Sequence, residues 1–148
     1  MGQAYRSMLV AYDGSPDADH ALDQAIALAR DEHACLTLLA VIPPAVGFSP
    51  FAPAPSDQAT WIRDGFESSL RRATERVPDD ISVTTRLIEG APAKRIVDCV
   101  REGGHDLVVI GSHGRGRLAG AVVGSVSQQV IHHSPVPVLV CHAQPAAA

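Results

Sequence analysis

The sequence predicts an α/β domain, a doubly wound five-stranded parallel sheet with helices on both faces. Three observations point there. Five short apolar runs recur along the 148 residues, at Met8–Tyr12, Cys35–Ile42, Ile81–Ile88, Asp106–Ile110 and Pro137–Cys141. Four of them are near-continuous in Val, Leu and Ile, as in strands covered on both faces of a parallel sheet. Between successive runs the apolar residues step at helical spacing, so the order reads β-α-β-α-β-α-β-α-β.

Each element has its own signal. After the first run, Ser15-Pro16-Asp17 supplies an N-cap, a proline at the first helical position and an acid in the first turn. Ala18, Ala21, Leu22, Ala25, Ile26 and Ala29 continue that helix. After the second run, Ile62, Phe66, Leu70, Ala73 and Val77 mark a helix that Pro78 and two Asp residues end. Pro92 opens a third, with Ile96, Val97 and Val100 inward, and Gly103-Gly104 closes it. A fourth runs over Ser125–His133 and Pro135 stops it; Ser125-x-x-Gln128 has the spacing of a capping box.

The third run is partly polar, Val83-Thr84-Thr85-Arg86-Leu87-Ile88. It belongs at an edge, which favours strand order 3-2-1-4-5 over the alternative 2-1-3-4-5. The switch point then lies between the first and fourth strands. The fifth strand becomes the other edge, yet Val136, Val138, Leu139 and Val140 are apolar. An uncovered apolar edge is an aggregation hazard, so a homodimer through Val136–Cys141 is expected.

Length and composition fit a single domain spanning 1–148, with a Pro-rich loop at 43–56 and a tail at 143–148. Apolar residues make up 46% and charged residues 19%, which excludes an intrinsically disordered chain. Twelve basic against sixteen acidic residues leave no basic nucleic-acid footprint. No run of 18 apolar residues is present and the N-terminal apolar run is too short for a signal peptide, so neither a membrane nor an export route is expected. Cys35, Cys99 and Cys141 are odd in number and widely spaced, and each reads as a small buried hydrophobe. A reducing cytoplasm is the expected compartment. The segment Pro43–Ser56 holds five prolines and no charge. It reads as a solvated loop, or as a lid, because it leaves a strand at the carboxyl end of the sheet.

The strongest chemical signal is Gly111-Ser112-His113-Gly114-Arg115-Gly116-Arg117, continuing through Gly120 to Gly124-Ser125. It begins where the fourth strand ends. Five glycines in fourteen residues permit close backbone approach and positive φ. Successive N–H groups in such a loop make an anion nest, and the last helix aims its N-terminus into the same space. Arg115 and Arg117 add positive charge, and no acid follows Asp106. An anion, most simply a phosphate, is the expected ligand; a glycine loop that binds nothing is the alternative. The P-loop pattern is absent. Gly114-x-Gly116-x-x-Ala119 fits a dinucleotide fingerprint only in part, since the later acid for ribose is missing. Across the switch point, Asp13 is placed to meet a ribose hydroxyl, to hold a cation that bridges phosphates, or to assist Ser15 in capping.

These residues resemble a known family. Gly111, Gly114, Gly124 and Ser125 satisfy Gly-x-x-Gly, nine residues, Gly-Ser. Joined to Asp13-Gly14-Ser15, Asp106–Gly114 and Ser134–Val140, they are similar to the universal stress proteins, over essentially the whole chain. The resemblance implies a Rossmann-like, adenine nucleotide alpha hydrolase-like fold and, with the full glycine pattern, the ATP-binding branch. It implies adenine against the backbone at Val41, near Ala11, where some relatives have Pro. It implies Asp13 facing ribose and phosphates, and Gly111–Arg117 with Ser125, Val126 and Ser127 holding them. ATP or another adenine nucleotide, with Mg²⁺ carried through Asp13, is the implied cofactor, and dimers through the last strand are usual. Among seven histidines only His113 falls in this region, and no nucleophile-and-base arrangement is legible. Three functions are therefore expected in order: a nucleotide-dependent regulatory stress module without a catalytic residue, a slow Mg-dependent ATPase or phosphotransferase, and a structural dimer with an empty pocket.

Overall fold

A computed structural model describes residues 4–44, 55–114 and 123–143. Arg115, Gly116, Arg117 and Gly120, most of the Pro-rich segment and the last five residues lie outside the described residues.

The elements are β1 (Ser7–Ala11), α1 (Pro16–Glu32), β2 (Cys35–Ile42), α2 (Pro55–Glu75), β3 (Val83–Glu89), α3 (Pro92–Gly103), β4 (Leu107–Gly111), α4 (Ser125–His133) and β5 (Val138–Cys141). The strands form one sheet in the order β3-β2-β1-β4-β5, and every pair is parallel. This is the order that the polar third run predicts. β3 is an edge strand with Thr84 and Thr85 exposed.

Alternation along the strands divides the core into two layers. Met8, Val10, Leu36, Leu38, Leu107 and Val109 face one way and pack with Ala21, Leu22, Phe66 and Leu70 of α1 and α2. Leu9, Ala11, Leu39, Val108 and Ile110 face the other way and meet Ile96, Val100 and Val130 of α3 and α4. With few aromatics, the core is built almost wholly of aliphatic side chains, most of them under 9% exposed.

The caps explain where the helices begin and end. Ser15 is the N-cap of α1, its Oγ accepting from Ala18 N at 3.2 Å, and Pro16 follows. Gly104 closes α3 in the left-handed region at φ 63°. Two boundaries differ from expectation. α2 stops at Glu75, and the chain tightens into turns in which Arg76 and Val77 donate to Ala73 and Thr74. Val77 and Ile81 remain buried in these turns, so their apolar signal reflects burial without regular structure. α4 begins at Ser125, but its N-cap is Gly124 and no side chain caps it. The capping-box spacing is thus one residue out of register: Gln128 reaches back with Nε2 to Val123 O at 2.9 Å.

The cysteines correct one expectation. Cys99 and Cys141 are buried, and burial raises both thiol pKa values. Cys35 is exposed at the first position of β2, although Thr37 and Leu39 on the same strand face are buried. Val138, Leu139 and Val140 are half-buried in this chain, as the free edge of β5. Among the described residues, no helix is long and apolar enough to cross a membrane.

Candidate functional site

The last paired residues of β1 and β4 are Ala11 and Ile110. Beyond them the two chains diverge, β1 toward α1 and β4 toward α4. A cavity of about 500 Å³ opens at this point. Its apolar floor comes from Ala11, Leu39, Val41 and Ile110 at the strand ends, with Ile96 and Phe66 from α3 and α2. Its polar side comes from Asp13, Ser15, His113 and Gly114, and from Gly124 through Gln128 at the start of α4.

The α4 N-terminus supplies the donors. Gln128 N makes the first intrahelical bond, to Gly124 O at 3.0 Å. The N–H groups of Ser125, Val126 and Ser127 therefore have no intrahelical acceptor, and Gly124 has no side chain to offer one. The helix dipole adds partial positive charge there. Ser127 Oγ donates to Gly111 O at 2.7 Å, which anchors the first turn to the end of β4. Gly124 N donates to Ser112 O at 2.6 Å, a second tie between the same elements.

Across the cavity, Asp13 Oδ1 accepts from Ser15 N at 2.9 Å. Asp13 therefore assists the α1 cap, and the same side chain lines the cavity. Its Oδ2 lies 2.6 Å from where a Gly114 Cβ would stand, so a side chain at 114 would push the Asp13 carboxylate aside. Gly14, between Asp13 and Ser15, has φ 81°, which permits the sharp exit from β1.

The glycines do different work from that expected of a positive-φ loop. Gly111, Gly114 and Gly124 all lack positive φ. A Cβ on Gly111 would fall 2.7 Å from the Asp17 carbonyl carbon and 2.9 Å from Ala18 N. Gly111 is thus a packing glycine that lets α1 lie against β4. A Cβ on Gly124 would stand 3.1 Å from Ser112 O.

Of the residues singled out in the sequence, Ala11, Asp13, Val41, Gly111, His113, Gly114, Gly124, Ser125, Val126 and Ser127 line the cavity together. Ser112 does not. It is fully buried, and its Oγ donates to Asp17 Oδ2 at 2.7 Å. Arg115, Gly116 and Arg117 lie outside the described residues.

Sequence reasoning missed Tyr12, Phe66, Gln128 and Asp17. Phe66 carried a helical-periodicity signal and was legible only as core; it is both core and cavity wall. Tyr12 OH donates to Asp19 Oδ1 at 2.6 Å, and Arg76 bridges Asp19 and Asp23 beside it. Burial and the Asp19 carboxylate push the phenol up to about 12. Asp17 is 3% exposed and joins three segments. Its Oδ2 accepts from Ser112 Oγ and, at 3.0 Å, from His113 N; its Oδ1 accepts from Ala143 N at 2.8 Å. Burial works to raise this carboxyl, but the donated hydrogen bonds outweigh it and hold Asp17 below the ordinary carboxylate value.

An α/β sheet with a ligand-sized cavity at its switch point, lined by an uncapped helix N-terminus, is the doubly wound class of fold, whose ligands sit outside the carboxyl ends of the strands. Comparison with known proteins narrows this. The universal stress protein family model matches residues 4–142, and the chain belongs to that family. Universal stress protein YxiE of Bacillus subtilis is 32% identical, over 92% of this chain and 98% of its own. A universal stress family protein from Burkholderia pseudomallei, solved by crystallography, is 32% identical with TM-score 0.77, covering 95% of this chain and 98% of that one. A universal stress protein crystallised in complex with cAMP is 28% identical with TM-score 0.72, covering 95% of this chain and 99% of that one.

Proposed function

We propose that this chain is an adenine-nucleotide-binding regulatory module of the ATP-binding branch, acting in the cytoplasm as a single-domain homodimer. The observation that carries the reading is the uncapped N-terminus of α4, whose first three N–H groups border the same cavity as Asp13. Phosphate oxygens satisfy those groups and are favoured by the helix dipole. The apolar floor at Ala11, Leu39 and Val41 gives the base a flat surface, with the strand-end backbone at Val41 to read its edge. Asp13 and the 111–117 loop take the ribose and phosphates, with Arg115 and Arg117 contributing charge. The cAMP-bound relative supports the adenine class of ligand.

Asp13 also suits Mg²⁺. That ion is commonly held by one or two carboxylates together with substrate phosphates, and Asp13 supplies one carboxylate at the cavity wall. When bound, the ion would neutralise phosphate charge. A second copy across β5 would cover Val138, Leu139 and Val140, which a single chain leaves half-buried.

Thermal unfolding with ATP, cAMP, GTP and no ligand, each with Mg²⁺, tests the reading. Adenine nucleotides are expected to raise the melting temperature, and GTP to raise it less. No shift with any adenine nucleotide at millimolar concentration refutes the site.

A further inference from the structure

We propose that Asp17 is a positioning residue: its two carboxylate oxygens replace a missing rung between the chains leaving β4 and β5, and so hold the cavity wall at His113 and Gly114 ready for a ligand. The consequence for a ligand rests on the nucleotide reading above; the clamp itself does not.

The β4–β5 ladder shows which rung is missing. In a parallel pair, alternate residues of one strand give their N–H to the neighbour and take a later N–H of the neighbour on their C=O. Val108 N donates to Pro137 O at 3.0 Å, and further along Ser112 N donates to Cys141 O at 2.8 Å. The next bond of this series would run from Ala143 N to Ser112 O. Instead Ser112 O accepts from Gly124 N at 2.6 Å, which draws the start of α4 onto the end of β4. Ala143 N turns to Asp17 Oδ1, at 2.8 Å. His113 N, just past the end of β4, donates to Asp17 Oδ2 at 3.0 Å.

Two backbone N–H groups from different chain segments thus converge on one point, and neither can accept from the other. Both donate whatever proton the His113 ring carries. A carboxylate, with two acceptor oxygens, serves both at once. Asp17 supplies it from the first turn of α1, at 3% exposure, and Ser112 Oγ adds a third donor on Oδ2 at 2.7 Å. The backbone of Asp17 lies close against Gly111, which sets the reach of the carboxylate to both chains. An amide at this position offers one oxygen and turns an NH2 group toward the other donor. His113 and Gly114 line the cavity and Asp17 does not, so it acts on a ligand only through them.

Backbone amide hydrogen exchange of the ligand-free protein reads the clamp directly. The His113 and Ala143 amides are expected to be protected in the wild type. Asp17→Ala is expected to speed exchange of both by roughly tenfold or more relative to Val109 inside β4. Asp17→Asn, the milder variant should Asp17→Ala not fold, is expected to speed at least one of the two. Wild-type amides that exchange freely, or two amides equally protected in a folded variant, overturn the proposal. Titration with Mg²⁺-ATP reads the wall. Asp17→Ala is expected to bind roughly tenfold more weakly. Leu22→Ala truncates a buried side chain of the same helix outside the cavity lining, and is expected to lose stability while keeping wild-type affinity. Affinity unchanged in Asp17→Ala, or lost equally in Leu22→Ala, overturns the positioning role. A wild type that binds no ATP refutes the nucleotide reading, and amide exchange alone then decides the clamp.

Discussion

Gly111 and Gly124 stand thirteen positions apart in one motif and answer to different constraints. Gly111→Ala would drive a Cβ to within 2.9 Å of the α1 backbone at Asp17 and Ala18. Backbone cannot step aside as a side chain can, so a loss of about 1–3 kcal/mol is expected, the usual cost of overpacking. Urea unfolding checks it. Gly124 has φ −70°, so a side chain there meets no backbone strain. Its Cβ would stand 3.1 Å from Ser112 O and 3.6 Å from His113 Cα, on the wall of the proposed phosphate site. Gly124→Val is expected to fold and to lose nucleotide affinity, read by calorimetric titration beside circular dichroism.

Asp17 makes a separate prediction through its charge. Its folded pKa is lowered, so its contribution to stability is present above the ordinary carboxylate value of about 3.9 and is lost as pH falls through the lower folded value. Wild-type stability should therefore fall in that acid window. Asp17→Asn should lower stability at neutral pH by roughly 1–3 kcal/mol, the cost of leaving buried groups unsatisfied, and should flatten the acid dependence. Urea midpoints from pH 7 down to about 3 measure both.

At the scale of elements, what could be read in the sequence followed from local chemistry. Ser15, Pro16, Gly104 and the aliphatic runs act within a few residues of themselves, and they placed α1, α3 and every strand. The polar residues of β3 set it at an edge, which ordered the sheet and located the switch point. The glycine spacing then found the cavity's polar wall. What could not be read depends on partners far away in the chain. Asp17 meets Ser112 at 95 residues' separation and Ala143 at 126. In the sequence it is merely an acid in a first turn. Ser112 carried the opposite error: its motif position suggested a ligand contact, while its hydroxyl is spent on Asp17. The α1 cap remains the clearest element-scale test. Ser15→Ala removes the acceptor of Ala18 N and should cost about 1 kcal/mol, measured by thermal or urea unfolding.

At the scale of the whole molecule, the two sheet edges are unlike. β3 is polar, whereas β5 presents Val138, Leu139 and Val140, with Val136 beside it and Ile131 of α4 at 48% exposure. If the proposed dimer forms through β5, Val138→Asp is expected to yield a monomer by light scattering while the wild type runs as a dimer, since a carboxylate there would be buried against an apolar partner surface. A monomeric wild type at micromolar concentration contradicts the dimer.

Calorimetric titration of the intact chain with Mg²⁺-ATP, run beside Gly124→Val, tests the central claim that the cavity between β1 and β4 binds an adenine nucleotide through the α4 N-terminus. Saturable binding by the wild type is expected, with a gain of roughly 2.7 kcal/mol in stability at a hundred times the dissociation constant, and loss of both in the folded variant. A wild type that binds no adenine nucleotide, or a folded variant that binds with unchanged affinity, would contradict it.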